Sequence, residues 1–387
     1  MLELLWLLLP VAAVSGWFAA LRESKRKANR LTGISSEYIR GLNYLLNEQP
    51  DKAIEVFIKM VEVDADTVET HLALGHLFRR RGETDRAIRI HQNLLARPRL
   101  ESEIRTMALL ELGEDYMKAG LFDRAENLFL ELIDLNEHTA RALMHLRDIY
   151  QQEQDWDKAI DICRQLEKVT GKSMRAVIAH YYCEKAEKCY RGNEFKQAGQ
   201  LVQQALQQDK NCVRASIIQA RIDSRNSNYR AAISSYRHVM EQDPDYFPEV
   251  IDPLLDCSRR TGEEKELMAF LRDIVSRDNS ISPMLALAGL IREHEGEQEA
   301  MAFVETQLHK RPSVRGLNWL IELSLRHSEG EARKNLTIFY ELTSKLLANK
   351  PVYECGTCGF SGKTMHWQCP GCKSWSSIKP IHGLEGE

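Results

Sequence analysis

The chain has 387 residues, 28% charged and 43% hydrophobic, with 21 Gly and 11 Pro. That supplies a sizeable core and excludes a collagen-like or largely disordered chain; at typical domain sizes the length suits two or three domains, or a repeat array. A formal charge of −4 excludes the strongly basic footprint of a dedicated nucleic-acid binder, so nucleic acid is not an anticipated partner. Residues 1–30 carry five basic and two acidic side chains and residues 351–387 three of each, which leaves −7 on the middle of the chain.

Leu4 to Leu21 is an uncharged run of 18 residues, LLWLLLPVAAVSGWFAAL. As a helix rising 1.5 Å per residue it would be about 27 Å long, close to the ~30 Å hydrocarbon core of a bilayer. Trp6 and Trp17 stand near its ends, where indoles favour the interface. A cleaved signal peptide carries its positive charge ahead of the apolar run. Here only Glu3 precedes it, and Arg22, Lys25, Arg26, Lys27 and Arg30 follow. Basic residues stay on the cytoplasmic side. The sequence therefore predicts a transmembrane anchor over 1–21, a basic juxtamembrane linker over 22–33, and a cytosolic body.

Between 34 and 350 the chain repeats itself. Residues 71–98 place Gly75, Phe78, Gly82, Ala87, Leu94 and Pro98 in the tetratricopeptide pattern, and 109–132 repeat it with Gly113, Tyr116, Gly120, Ala125, Phe129 and Leu132. Gly41, Tyr44, Ala53 and Phe57 keep the same register before them; Tyr150, Ala159, Cys163 and Leu166 keep it after. The alanines at 53, 87, 125 and 159 step at about the 34-residue period of this repeat. Later units are marked by Ala198 and Ala205, by Ala232, Tyr236 and Pro244, and by Ala300 and Pro312. About nine units are predicted. Each is a helical hairpin with an apolar face it cannot bury alone, so hairpins must stack, and the stack presents a concave binding surface. His76, Arg79, Arg80, Glu114 and Lys118 are the candidate partner-facing residues; the bland alternative is a solvated helix face.

Helical periodicity stops at 351. Residues 351–387 hold two C-x-x-C pairs, Cys355/Cys358 and Cys369/Cys372. A two-residue spacer folds backbone amides under both sulfurs, and two such knuckles offer one ion four thiolates, a set suited to zinc or iron. With no open ligand position the role reads as structural rather than hydrolytic, and so small a module needs the ion to fold. Tyr353, Phe360, Trp367 and Trp375 are predicted to close a small core or to dock on the last helices. Gly362-Lys363-Thr364 looks like the end of a phosphate-binding loop but lacks its first glycine and its strand–helix setting. His366 reads as a loop histidine. The other cysteines, Cys163, Cys183, Cys189, Cys212 and Cys257, read as inert core thiols in a reducing compartment. Convergent acid, base or nucleophile motifs are missing, so the chain is not read as an enzyme.

The knuckles C-G-T-C-G-F and C-P-G-C resemble rubredoxin, with Lys373 where rubredoxins carry glycine. Anchor, repeat array and terminal ribbon, in this order and over the whole chain, resemble the bacterial lipopolysaccharide assembly protein B family. The resemblance implies an all-α tetratricopeptide superhelix with an N-terminal transmembrane helix and a small four-cysteine β-ribbon. It implies one metal ion, iron by the family's rubredoxin-type description or zinc by spacing, on Cys355, Cys358, Cys369 and Cys372. It implies a non-enzymatic inner-membrane adaptor that promotes degradation of the committed lipid A deacetylase by the membrane AAA+ protease FtsH, linked also to heat shock. Other lipopolysaccharide assembly or signalling membrane proteins are implied as partners, with a homodimer as one arrangement. Two other classes stay open on the residues alone: an electron-transfer protein using the ribbon metal, and a general membrane-bound co-chaperone.

Overall fold

The computed structural model describes residues 36–387 apart from 48, 64–67, 99, 278–279 and 349. The anchor at 1–21 and the linker at 22–33 lie outside the described residues. Among the described residues no helix is long and apolar enough to cross a membrane.

Two compact units follow one another, divided after Gln154. The first holds α1 (Ser36–Leu46), α2 (Pro50–Val63), α3 (Val68–Arg81), α4 (Thr84–Leu95), α5 (Ser102–Lys118), α6 (Phe122–Asp134) and α7 (Thr139–Glu153). The second begins with α8 (Trp156–Thr170), α9 (Arg175–Arg191), α10 (Phe195–Gln208), α11 (Val213–Arg225) and α12 (Tyr229–Gln242). A 3₁₀ segment, Pro244–Val250, leads into α13 (Ile251–Thr261), α14 (Glu264–Arg277), α15 (Ile281–His294), α16 (Glu297–Lys310), α17 (Val314–His327) and α18 (Gly330–Ala348). Helices pair in sequence, α1 with α2, α3 with α4 and α5 with α6 in the first unit, and α9 with α10 through α17 with α18 in the second. The leading helices of successive pairs also touch: α3, α5 and α7 in one unit, α9 and α11, then α13, α15 and α17, in the other.

Two local devices set this geometry. At the crossing of each early pair a glycine faces a ring sixteen positions later. A Cβ at Gly41 would lie 2.5 Å from Phe57 Cζ, one at Gly113 would lie 2.6 Å from Phe129 Cε1, and one at Gly75 would overlap the His91 ring. Phe57, His91 and Phe129 are fully buried, so the helices approach closely only because the facing side chain is a hydrogen. The second device is the turn. Gly82, Gly120, Gln154, Asn193, Ser227 and Gly262 all take a left-handed φ between 60° and 88°. Each stands five residues before a buried residue of the following helix: Ala87, Ala125, Ala159, Ala198, Ala232 and Leu267. Glycine meets that demand freely, whereas the other three carry a cost of about 1 kcal/mol.

The second unit ends in a three-stranded antiparallel ribbon, β1 (Tyr353–Cys355), β2 (Ser361–Gly362) and β3 (Ile378–Pro380), in the order β2-β1-β3. Tyr353 pairs with Gly362 on one side and with Pro380 on the other. The ribbon's own core is small: Cys355, Cys369 and Ile378, with Tyr353, Phe360 and Cys372 packed against them.

Candidate metal centre

Both knuckles are built alike. Gly359 N donates to Cys355 O at 2.9 Å and Lys373 N donates to Cys369 O at 2.9 Å. Both residues sit at left-handed φ, 74° for Gly359 and 60° for Lys373. The lysine thus occupies a glycine conformation, at a cost of about 1–2 kcal/mol. Cys355 N donates to Phe360 O at 2.7 Å and Cys369 N to Ser374 O at 2.9 Å, closing the turns. A Cβ at Gly371 would stand 3.4 Å from Cys358 Sγ, so the second knuckle leaves little room beside the sulfurs.

The turns bring four sulfurs together. Cys355 Sγ lies 3.7 Å from Cys372 Sγ, Cys358 Sγ lies 3.6 Å from Cys369 Sγ, and all four fall within 4.8 Å of one another. Sulfurs held about 2.3 Å from a tetrahedral zinc ion stand roughly 3.8 Å apart, so the set fits such an ion as it stands. The surroundings already favour partial ionisation. The Ser377 hydroxyl, 3.3 Å from Cys355 Sγ, together with the Cys358 and Thr357 N–H groups, pulls the Cys355 thiol down to about 6. Ser374 pulls Cys372 down as well. At Cys358 the Phe360 N–H favours the thiolate, but desolvation and the other three sulfurs outweigh it and push the thiol up to about 12. Four thiols so close cannot all ionise unaided, and a cation that binds them drives off the remaining protons. His366 stays outside the set: its Nε2 lies 3.0 Å from Thr364 Oγ1. Lys363 donates to Ala348 O at 2.6 Å, which accounts for the lysine of the phosphate-loop look-alike.

The ribbon's indoles dock, but not on the last helices. They reach back to α9, α11 and the 3₁₀ segment, where packing against an aromatic and cationic seat is available. Trp375 stacks on His180 with centroids 4.9 Å apart and meets Tyr181 edge-on at 6.0 Å; Trp367 stacks on Tyr246 at 5.2 Å. The Arg214 guanidinium lies 5.9 Å from the Trp367 ring and 5.8 Å from the Trp375 ring, held from behind by Glu184 at 2.9 Å and Glu187 at 3.0 Å. His180 Nε2 lies 2.8 Å from Ser376 Oγ. Burial, with the Arg214 charge, pulls the His180 pKa down to about 3, so the ring is neutral in the seat. At the rim Lys379 pairs with Asp243 at 2.9 Å and Asp245 at 2.8 Å. The sequence reading missed His180, Arg214 and Tyr246. The available signal was an arginine inside the apolar run VRASIIQA.

The five partner-facing candidates separate into two groups. His76, Arg80 and Lys118 are exposed. Arg79 and Glu114 require correction: they are engaged within the array. Arg79 is 8% exposed and pairs with Glu111 at 2.6 Å, Glu114 at 2.9 Å and Asp115 at 2.7 Å. Glu114 also meets Arg141 at 2.7 Å and His145 at 3.1 Å. Burial pushes the Glu114 carboxyl up, but His145 and Arg79 outweigh it and hold it at about 2. Asp115, fully buried, lies 2.5 Å from Nδ1 of His91. These charges tie α3, α5 and α7 together; the buried pair Arg79 and Asp115 persists so far from water only because each is paired.

Known proteins align with this layout. The tetratricopeptide repeat family matches residues 70–103 and 110–171, and the rubredoxin metal binding domain family matches residues 353–380. Lipopolysaccharide assembly protein B of Escherichia coli strain K12 is 39% identical over 388 residues, covering all of both chains. The protein of that name from Haemophilus influenzae is 34% identical over 395 residues, again covering both in full. Among solved structures, the C-terminal part of a TPR repeat-containing protein from Cytophaga hutchinsonii aligns with a TM-score of 0.39 at 14% identity, covering 68% of this chain and 98% of that one. With more than a third of its residues shared end to end with these relatives, the chain belongs to the lipopolysaccharide assembly protein B family.

Proposed function

We propose that the chain is a non-enzymatic adaptor held at the bacterial inner membrane by Leu4–Leu21, with its helices and ribbon on the cytoplasmic side. In this reading it limits lipid A synthesis by presenting the committed UDP-acyl-GlcNAc deacetylase to the protease FtsH, and other lipopolysaccharide assembly proteins gather on the same scaffold. The observation that carries it is the end-to-end likeness to proteins named for lipopolysaccharide assembly. The form of the molecule is in keeping with it. Stacked hairpins offer an extended binding surface, and confinement to a membrane raises the effective concentration of two membrane-associated partners. A closed four-thiolate site leaves no position for a substrate, so the ion, iron or zinc, serves the ribbon's fold.

Depleting the protein should lengthen the half-life of the deacetylase several-fold in cells that retain FtsH. Resupplying the full chain should restore rapid turnover, and residues 22–387 alone should restore it poorly. An unchanged half-life on depletion overturns the adaptor reading. An ultraviolet–visible spectrum of anaerobically purified protein separates the metals: a ferric tetrathiolate is coloured and a zinc site is not.

A further inference from the structure

Two buried thiols outside the metal centre face each other. Cys183 on α9 and Cys212, the residue capping the start of α11, bring their sulfurs to 3.8 Å. Cys183 is fully buried and Cys212 is 4% exposed, both in one apolar cluster with Ala179, Ala186, Ala215 and Ile218. Sequence alone gives no reason to pair them, since they come from successive repeats and share no motif. Their place in the fold does. Cys212 stands two residues before Arg214, and Cys183 immediately precedes Glu184, the carboxylate that holds Arg214 against the ribbon's indoles.

We propose that Cys183 and Cys212 form a peroxide-oxidisable dithiol that, once joined as a disulfide, staples α9 to the start of α11 behind the ribbon's seat. The two thiols are unequal partners. Burial pushes Cys183 up, whereas the hydrogen bond from Cys183, with help from the Ala215 N–H, pulls Cys212 down. Cys212 lies beside the exposed Asn211 at a helix N-terminus, a position that favours a thiolate. Its sulfur attacks hydrogen peroxide, the O–O bond breaks, and sulfenic acid and water form, the leaving oxygen taking up a proton. The Cys183 sulfur then displaces hydroxide from that sulfenic acid, the hydroxide leaves as water with the Cys183 proton, and an S–S bond is made. Overall two thiols and one peroxide give one disulfide and two waters. Closing the sulfurs from 3.8 Å to about 2.05 Å draws the capping residue of α11 toward α9 and shifts Arg214 against Trp367 and Trp375.

The test uses the metal-loaded full chain in detergent, treated with hydrogen peroxide, alkylated and digested. The proposal expects a Cys183–Cys212 crosslinked peptide, a loss of two free thiols, retention of the ribbon metal, and a change in indole fluorescence reversed by dithiothreitol. In Cys183→Ser the sulfenic acid should persist at residue 212 and be trapped by dimedone. In Cys212→Ser neither adduct nor crosslink should form, and in Cys257→Ser the crosslink should be unaffected. Metal loss with ribbon cysteines oxidised first, or no crosslink while helical content is intact, overturns the proposal. So does a fluorescence change that survives in both Cys183→Ser and Cys212→Ser.

Discussion

Among the described residues two arginines are buried, Arg79 in the first unit and Arg214 in the second, and they are used differently. Each bridges leading helices of successive repeats through carboxylates: Arg79 through Glu111, Glu114 and Asp115, Arg214 through Glu184 and Glu187. Arg79 is enclosed by its own repeats. Arg214 has the Trp367 and Trp375 rings of the ribbon beside it. A buried charge is costly unless fully paired and shielded from water. The first arginine is therefore a local clamp, and the second links helices of the array to a distant module whose four cysteines are gathered at metal-binding distance.

That contrast can be broken most severely at the metal. Replacing Cys355, Cys358, Cys369 or Cys372 by Ser should abolish metal retention, since structural four-thiolate sites contribute about 10–16 kcal/mol of folding free energy; metal analysis should fall from one ion per chain to almost none. Next come the arginines. Arg79→Ala should cost about 3–5 kcal/mol, because fully buried Asp115 loses its guanidinium. Arg214→Ala should cost less, because Glu184 and Glu187 are partly exposed, but it alone should expose the ribbon's indoles to quenchers. Arg80→Glu should leave melting unchanged and weaken partner capture alone.

A smaller effect is pH. His180 is neutral in the seat, with its pKa pulled down to about 3 from the usual 6.5. The docked state is thus fully favoured above pH 6.5 and weakens as pH falls toward 3, by about 2 kcal/mol at pH 5. Asp245, held low by Lys379 against the opposing effect of burial, gives up its share only in stronger acid. Indole quenching at constant metal content should follow this curve in the parent, and His180→Phe should flatten it. Smallest is Lys373→Gly, which relieves the left-handed strain and should raise ribbon stability by about 1 kcal/mol, read as slower metal loss to a chelator. A faster loss would mean the lysine side chain contributes more than its backbone costs.

What the sequence made legible was local or periodic. The cysteine quartet is read from spacing alone because each knuckle closes within five residues. The hairpins are read from a register that repeats, and the same register would have found His91: it falls in the slot of Phe57 and Phe129, where a ring packs on a glycine. The seat of the ribbon was not legible. His180 and Ser376 are 196 positions apart, and no period links a loop serine to a helix in mid-array. Arg79 misled for a related reason. Helical spacing put it beside Arg80, but only the position of α5 shows that one of the two arginines is covered by carboxylates and the other is left to solvent.

The central claim, that the metal-held ribbon closes over α9, α11 and the Pro244–Val250 segment, is tested most directly by hydrogen–deuterium exchange of the full chain with and without its ion. The account predicts that removing the metal speeds exchange in 351–387 and, with it, in 175–191, 213–225 and 244–250, while 68–118 keeps its protection. Faster exchange confined to 351–387, or spreading instead to 314–348, would contradict it.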